Sequence, residues 1–237
     1  MKKYSLRKRA SFYAKTFPDW PAPRADDRWL DSMWVLGNNY RNQTRYYGAY
    51  PPGYLKRVHS LFPDAERTLH LFSGSMPKSD QYVRFECNPK LEPDVEGDAH
   101  ALSTYFDHAQ FDFIIADPPY DKDAAARYGF PMINRPKIMV ESAYVLEKGG
   151  YLVWLDTVLP MFRKELFHLC GLIGVVRSTN HKFRVVSIFK KVGEPQDAAV
   201  QARKPKTKTL KAGKTKRDKK VKTKTKTKGA PKKTKAK

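Results

Sequence analysis

The sequence predicts an α/β domain built around a mostly parallel sheet and closed by a C-terminal antiparallel hairpin strand. Two observations carry this. Short apolar runs bounded by turn residues alternate with segments of helical spacing, the pattern of strand–crossover–strand units. The last two runs, 172–177 and 183–190, are separated only by Ser178-Thr-Asn-His-Lys182. They read as a hairpin, and a hairpin strand runs against its partner.

Residues 1–28 are basic and carry Pro18, Pro21 and Pro23 around Trp20, which reads as an arm or irregular lead-in. Residues 29–66 hold two aromatic clusters, Trp29 with Trp34 and Tyr46-Tyr47 with Tyr50. Trp29, Trp34 and Tyr40 read as core residues in preference to base-stacking platforms. Leu55, Val58 and Phe62 at helical spacing predict a helix over 54–62, stopped by Pro63. Strands are expected over 68–72, 82–86, 94–98 and 111–116, the last buried on both sides. Pro136 suits the first turn of a helix over about 136–147, with Gly149-Gly150 just past its end. A fifth strand covers 151–155.

The formal net charge of +22 is unevenly placed. Residues 201–237 carry 18 of the 46 Lys/Arg but one acid, Asp218, leaving 28 cations against 23 acids in the body. The Lys-Thr alternation at 222–228 offers almost nothing apolar to bury, so disorder is expected there. A flexible cationic tail of this kind is a sequence-independent polyanion binder. The organisation predicted is a basic arm (1–28), one globular domain (29–195) and a basic tail (196–237).

Cys87 and Cys170 are far apart, without zinc spacing or a disulfide framework, so no metal site is expected. No apolar h-region follows the basic N-terminus, and runs such as 113–116 and 172–176 fall far short of the ~20 residues that span a bilayer. A cytoplasmic protein with no membrane association and no obligate protein partner is the expectation.

Every polar motif falls just beyond the carboxyl end of a strand, the edge where ligands bind in such sheets. In Asp117-Pro118-Pro119-Tyr120 two prolines fix the backbone and remove two amide donors. What remains is an acceptor-rich turn with an aromatic face, the set that an exocyclic amino group on a ring requires. A turn that merely ends a strand would look the same. Phe72-Ser73-Gly74 is a strand-to-glycine turn that lets backbone approach a ligand. Glu86 ends the second strand, where an acid can take both hydroxyls of a ribose. In Gly97-Asp98-Ala99, Asp98 can receive the amino group of an adenine ring. Asp156 reads as a substrate-side residue or a helix cap, and His181, Lys182 and Arg184 as phosphate contacts or a solvated turn.

This ordered set resembles the class I methyltransferases that act on nucleic-acid amino groups, most closely the DNA adenine/cytosine amino-methyltransferases, over roughly residues 45–192. The resemblance implies a Rossmann-like methyltransferase sheet and S-adenosylmethionine as cofactor. It assigns Phe72, Ser73 and Gly74 to the methionine side, Glu86 to the ribose, and Asp98 with Ala99 to the adenine. Asp117 and the Pro118 carbonyl would bind the target amine, with Pro119 shaping the turn and Tyr120 stacking on the base. Tyr50-Pro51-Pro52-Gly53-Tyr54 resembles the family's further cofactor-contacting motif. The Asp form of the motif favours adenine. Three departures stand out: Met76 replaces the family's second glycine, 75–81 leaves room for only a turn or two of crossover helix, and no segment is long enough to be expected to form a separate target-recognition domain. The alternatives are an RNA base amino-methyltransferase and a catalytically inactive nucleic-acid-binding protein on the same fold. In each case DNA or RNA is the partner, through the site face and the basic tail.

Overall fold

All six residues of β6 (Phe111–Ala116) are buried, Asp112 included. Asp112 is satisfied there because its carboxylate accepts from the Glu66 and Arg67 amides at 3.1–3.3 Å, fixing the chain's entry into the neighbouring strand. The computed structural model describes residues 4–37, 50–178 and 182–196, and β6 lies in the interior of its nine-stranded sheet, beside the central strand.

The other strands are β1 (Arg24–Ala25), β2 (Leu30–Leu36), β3 (Thr68–Leu71), β4 (Tyr82–Glu86), β5 (Val95–Glu96), β7 (Leu146–Asp156), β8 (Phe167–Arg177) and β9 (Phe183–Lys191). Their order is β5-β4-β3-β6-β7-β9-β8-β2-β1. β9 runs antiparallel to both neighbours and β1 to β2, and every other pair is parallel. The fold is therefore the expected one: a Rossmann-like sheet, mostly parallel, with an antiparallel hairpin strand near its C-terminus.

Helices cover both faces. On one side α1 (Leu6–Thr16) and α2 (Tyr54–Leu61) pack over Phe113, Ile115, Tyr151, Val153 and Leu155. On the other, α4 (Arg135–Val145) and a 3-10 helix at Ala99–Thr104 pack over Ile114, Ala116, Leu152 and Trp154. The switch of face at each successive residue of β6 and β7 is the period-2 geometry of a strand. A short α3 (Lys122–Arg127) follows β6.

Three expectations are corrected. The first 28 residues are not an irregular arm. The Ser5 hydroxyl accepts from the Lys8 amide at 3.2 Å and starts α1, which buries Leu6, Arg9, Ala10 and Tyr13. Arg9 is fully buried, pairing with Asp64 at 2.8 Å and lying 4.6 and 4.7 Å from the Phe62 and Tyr151 rings. Second, α4 passes directly into β7, so Gly149-Gly150 lie inside the strand and not in a turn. The register against β6 shifts at this point, and a Cβ on Gly150 would sit 2.7 Å from the Asp112 carbonyl oxygen. Third, residues 72–81, which join β3 to its parallel neighbour β4, contain no helix. The side chain of Arg84 steadies that crossover, donating to the Met76 carbonyl at 3.0 Å, the Glu92 carbonyl at 2.8 Å and both Asp94 oxygens.

Tyr40, Tyr46, Tyr47, His181 and the basic tail lie outside the described residues. Trp34 is buried, as expected of a core residue. No helix among the described residues is long and apolar enough to cross a membrane.

Candidate active site

The carboxyl ends of β3, β4, β5, β6 and β7 share one edge because these strands are parallel. A cavity partly open to solvent lies there. Phe72 and Gly74 from the turn after β3, Glu86 and Cys87 from the end of β4, and Asp117 and Pro119 from the turn after β6 all line it. Ile133 and Phe130 close the side toward α4.

The turn after β3 is wound tightly. Phe72 has φ 60° and Gly74 φ 57°, both left-handed. That conformation suits glycine and is strained for a bulky side chain. The Gly74 amide donates to Glu86 Oε2 at 3.1 Å, while Oε1 accepts from the Cys87 and Asn88 amides at 3.0 and 3.3 Å. Glu86 thus ties the glycine turn to the end of β4, a role that its position in the sequence did not reveal. Burial and the adjoining Glu86 charge push the Cys87 thiol up to about 12, so it stays protonated at neutral pH. The Ser73 hydroxyl oxygen is buried with no hydrogen-bond partner among the described residues.

At the other end of the cavity the Tyr120 hydroxyl donates to Asp117 Oδ1 at 2.6 Å. Burial raises the Asp117 carboxyl to about 7, opposed by the Tyr120 hydrogen bond and by the Arg184 charge, and assisted by Asp156. The guanidinium of Arg184 lies 4.7 Å over the Tyr120 ring. Burial and the nearby Asp117 charge also hold the Tyr120, Tyr50 and Tyr54 hydroxyls well above the ordinary phenol range. Pro118 is buried beneath the turn.

Asp156 is fully buried and caps no helix. Its carboxylate accepts from Arg135 at 2.7 and 3.1 Å, from Trp154 Nε1 at 3.1 Å and from the Thr157 amide at 2.7 Å. Arg135 also donates to the Tyr120 carbonyl at 2.8 Å. Arg135 is the residue that sequence reasoning missed. The Asn134-Arg-Pro136 start of α4 was a legible capping signal, but nothing in it announces a partner 21 residues away.

Five of the sequence-predicted cofactor and target residues, Phe72, Gly74, Glu86, Asp117 and Pro119, meet in the cavity wall. Others stand apart. Asp98 is largely exposed, capping the 3-10 helix and lying 2.6 Å from His100 Nδ1, while Ala99 is buried in the core; neither is part of that wall. His100 Nε2 in turn accepts from the Asn134 amide at 2.8 Å, so Asp98 is linked to the start of α4. Gly97 leaves room for packing: a Cβ there would meet the Tyr105 ring at 2.5 Å and Phe85 at 2.8 Å. Tyr50 is stacked on Tyr54 and its hydroxyl lies 3.2 Å from His70 Nδ1, with Pro51 buried beside it. Among the described residues, no group of three or more His, Cys, Asp or Glu is placed to hold a metal ion.

No protein-family model matches the chain, and no curated protein matches it. Among solved structures, TrmN from Thermus thermophilus is similar at 17% identity and a TM-score of 0.46, covering 62% of this chain. The chain spans half the length of that protein. A putative methyltransferase, yhhF from Escherichia coli, is similar at 12% identity and a TM-score of 0.41, over 68% of this chain and 98% of that one. A Burkholderia thailandensis 1,6-didemethyltoxoflavin-N1-methyltransferase, solved with S-adenosylhomocysteine, gives 12% identity and 0.40, over 57% of this chain and 75% of that one. All three TM-scores are below 0.5, and the fold rests on the chain's own strand order.

Proposed function

We propose that this chain is an S-adenosylmethionine-dependent methyltransferase acting on an exocyclic amino group of a nucleic-acid base, most specifically adenine N6 in DNA. The observation that carries the reading is the shared cavity: the glycine turn with Glu86 at one end, the Asp117-Pro-Pro-Tyr120 turn at the other.

The residues present fit the cofactor. Left-handed Gly74 brings backbone to the cavity wall, and Ser73 offers a buried hydroxyl without a protein partner. Among the described residues Glu86 Oε2 accepts from the Gly74 amide alone, which leaves acceptor capacity for a ribose hydroxyl. Asp98 would reach an adenine ring from the rim. When bound, S-adenosylmethionine supplies an electrophilic methyl group.

Asp117 and the Pro118 carbonyl accept hydrogen bonds from the target amine and orient its lone pair. Pro119 fixes the turn and Tyr120 stacks on the ring. An Asp117 carboxyl poised at about 7 is matched to receive the proton that the amine loses on methylation. The basic tail supplies sequence-independent attraction to the same polymer.

The test is incubation of the full chain with methyl-labelled S-adenosylmethionine and duplex DNA, single-stranded DNA or structured RNA, followed by nucleoside digestion. Labelled N6-methyladenine from DNA is the expected product. Label in RNA alone would transfer the reading to RNA. Absence of label and of cofactor binding, with DNA binding intact, would leave a nucleic-acid-binding protein on a methyltransferase-like fold.

A further inference from the structure

Both features that the proposed reading assigns to the target base are engaged from within the chain. Asp117 Oδ1 accepts from the Tyr120 hydroxyl at 2.6 Å, and one face of the Tyr120 ring is covered by the Arg184 guanidinium at 4.7 Å. Arg184 is the second residue of β9, at the sheet edge where the cavity opens, and its backbone pairs with Val175 of β8. The hairpin therefore delivers a cation to the place where a base would stack.

A guanidinium is planar, stacks on aromatic faces and pairs bidentately with phosphate. A flat base is the natural competitor for the Tyr120 face, and a nucleotide within a strand brings phosphates with it. Resting on the reading above, we infer that Arg184 holds the place of the target base. A base entering the cavity displaces it from the Tyr120 ring, and the freed guanidinium then takes a phosphate beside that nucleotide. Exchange of one favourable contact for another costs a polymer substrate little. A free nucleoside must break the Arg184–Tyr120 contact with nothing in return. Arg184 is thus a specificity-determining residue that favours bases carried on a phosphodiester chain over free nucleosides.

The inference predicts effects of opposite sign for two ligands. Arg184→Gln removes the cation from the ring and from the phosphate. It should tighten binding of adenosine about threefold, the scale of one lost cation–π contact. It should weaken binding of an adenine-containing single-stranded oligonucleotide about tenfold, the scale of one lost charge-assisted phosphate contact. Arg184→Lys keeps the charge but not the planar face, so adenosine should tighten while the oligonucleotide changes little. All titrations use the full chain, calorimetrically, at one salt concentration and with S-adenosylhomocysteine present.

Adenosine binding that weakens or stays unchanged in Arg184→Gln would overturn the inference. So would an equal shift for both ligands, which would mean that Arg184 merely balances the Asp117 charge. Wild-type protein that binds neither ligand would remove the reading on which the inference rests. Wild-type protein that binds both, with variants that shift them together, would remove the inference alone.

Discussion

Arg135, in the first turn of α4, holds the carboxylate of Asp156 at the end of β7 with two hydrogen bonds of 2.7 and 3.1 Å. The pair joins a helix on one face of the sheet to the site edge, and Arg135's further bond to the Tyr120 carbonyl carries the connection to the Asp117 turn. Arg135 is a positioning residue: it reaches the Tyr120 main chain and not the cavity wall.

Truncating it should leave Asp156 buried and short of its main partner. Arg135→Ala is expected to cost about 3–5 kcal/mol, the range for breaking one side of a buried ion pair. Denaturant unfolding with an unchanged m-value checks this. Arg135→Lys should recover part of the stability but not the two-pronged geometry. A loss under 1 kcal/mol would mean that Trp154 and Thr157 alone suffice for Asp156.

Asp117 makes stability depend on pH in a direction unusual for an aspartate. Its folded value, about 7, lies above the unfolded value of 3.8, so the folded chain binds more protons between them. Its contribution is most favourable below the unfolded value and is lost as pH rises toward 7. Asp117→Asn should therefore raise the melting temperature at neutral pH and flatten its pH dependence across that window. The same variant should lower turnover by about 10²–10⁴, in keeping with removal of a general base. Wild-type activity should rise through an acid limb near 7 that the variant's residual activity lacks.

Gly97 tests whether its motif serves packing or ligand approach. Alanine there would drive a methyl group into the Tyr105 and Phe85 rings. A cost of about 1–3 kcal/mol is expected from overpacking, read as a lower denaturation midpoint, with cofactor affinity changed little. Strong loss of affinity at unchanged stability would return Gly97 to the ligand side.

Arg9 and Asp64 form a buried pair with 0% and 4% of their side chains exposed. Arg9→Ala should cost about 3–5 kcal/mol, and deletion of residues 1–28 should prevent stable folding, because the whole of α1 and β1 leave with them. A truncated chain with native thermal unfolding would show that the first 28 residues are dispensable.

The strands that frame the site were legible because their chemistry is local. Tyr82–Glu86 and Phe111–Ala116 have the predicted bounds, and α2 differs by one residue. The Asp117 turn and the Phe72-Ser-Gly74 turn were readable for the same reason: each is set by adjacent residues. What escaped is long-range. The Leu-Arg-Lys-Arg start of α1 looks like a solvated cationic run, and only the folded chain supplies Asp64, Phe62 and Tyr151 to surround Arg9. Leu30–Leu36 was placed in a region of aromatic clusters and not assigned as a strand, since its partner β8 is remote in sequence. The position of Asp98 at a strand end is legible, but the contacts of its Oδ1 with the His100 amide and ring are not. Neighbouring residues dictate turns, whereas the partner of a buried charge depends on topology.

The pairing of β2 with β8, Leu30 opposite Gly171 and onward to Leu36 opposite Arg177, has a bearing on biosynthesis. A ribosome adding ~5–20 residues per second delivers β8 about 7–30 seconds after β2. Throughout that interval Trp34 and Leu36 have no β8 to lie against, and the edge of β2 is open to any passing strand. The hairpin of β8 and β9 lies between β7 and β2, so the two halves of the sheet cannot be joined until both of its strands have been made. The yield of such a chain in a cell should respond to chaperone supply more strongly than its final stability suggests.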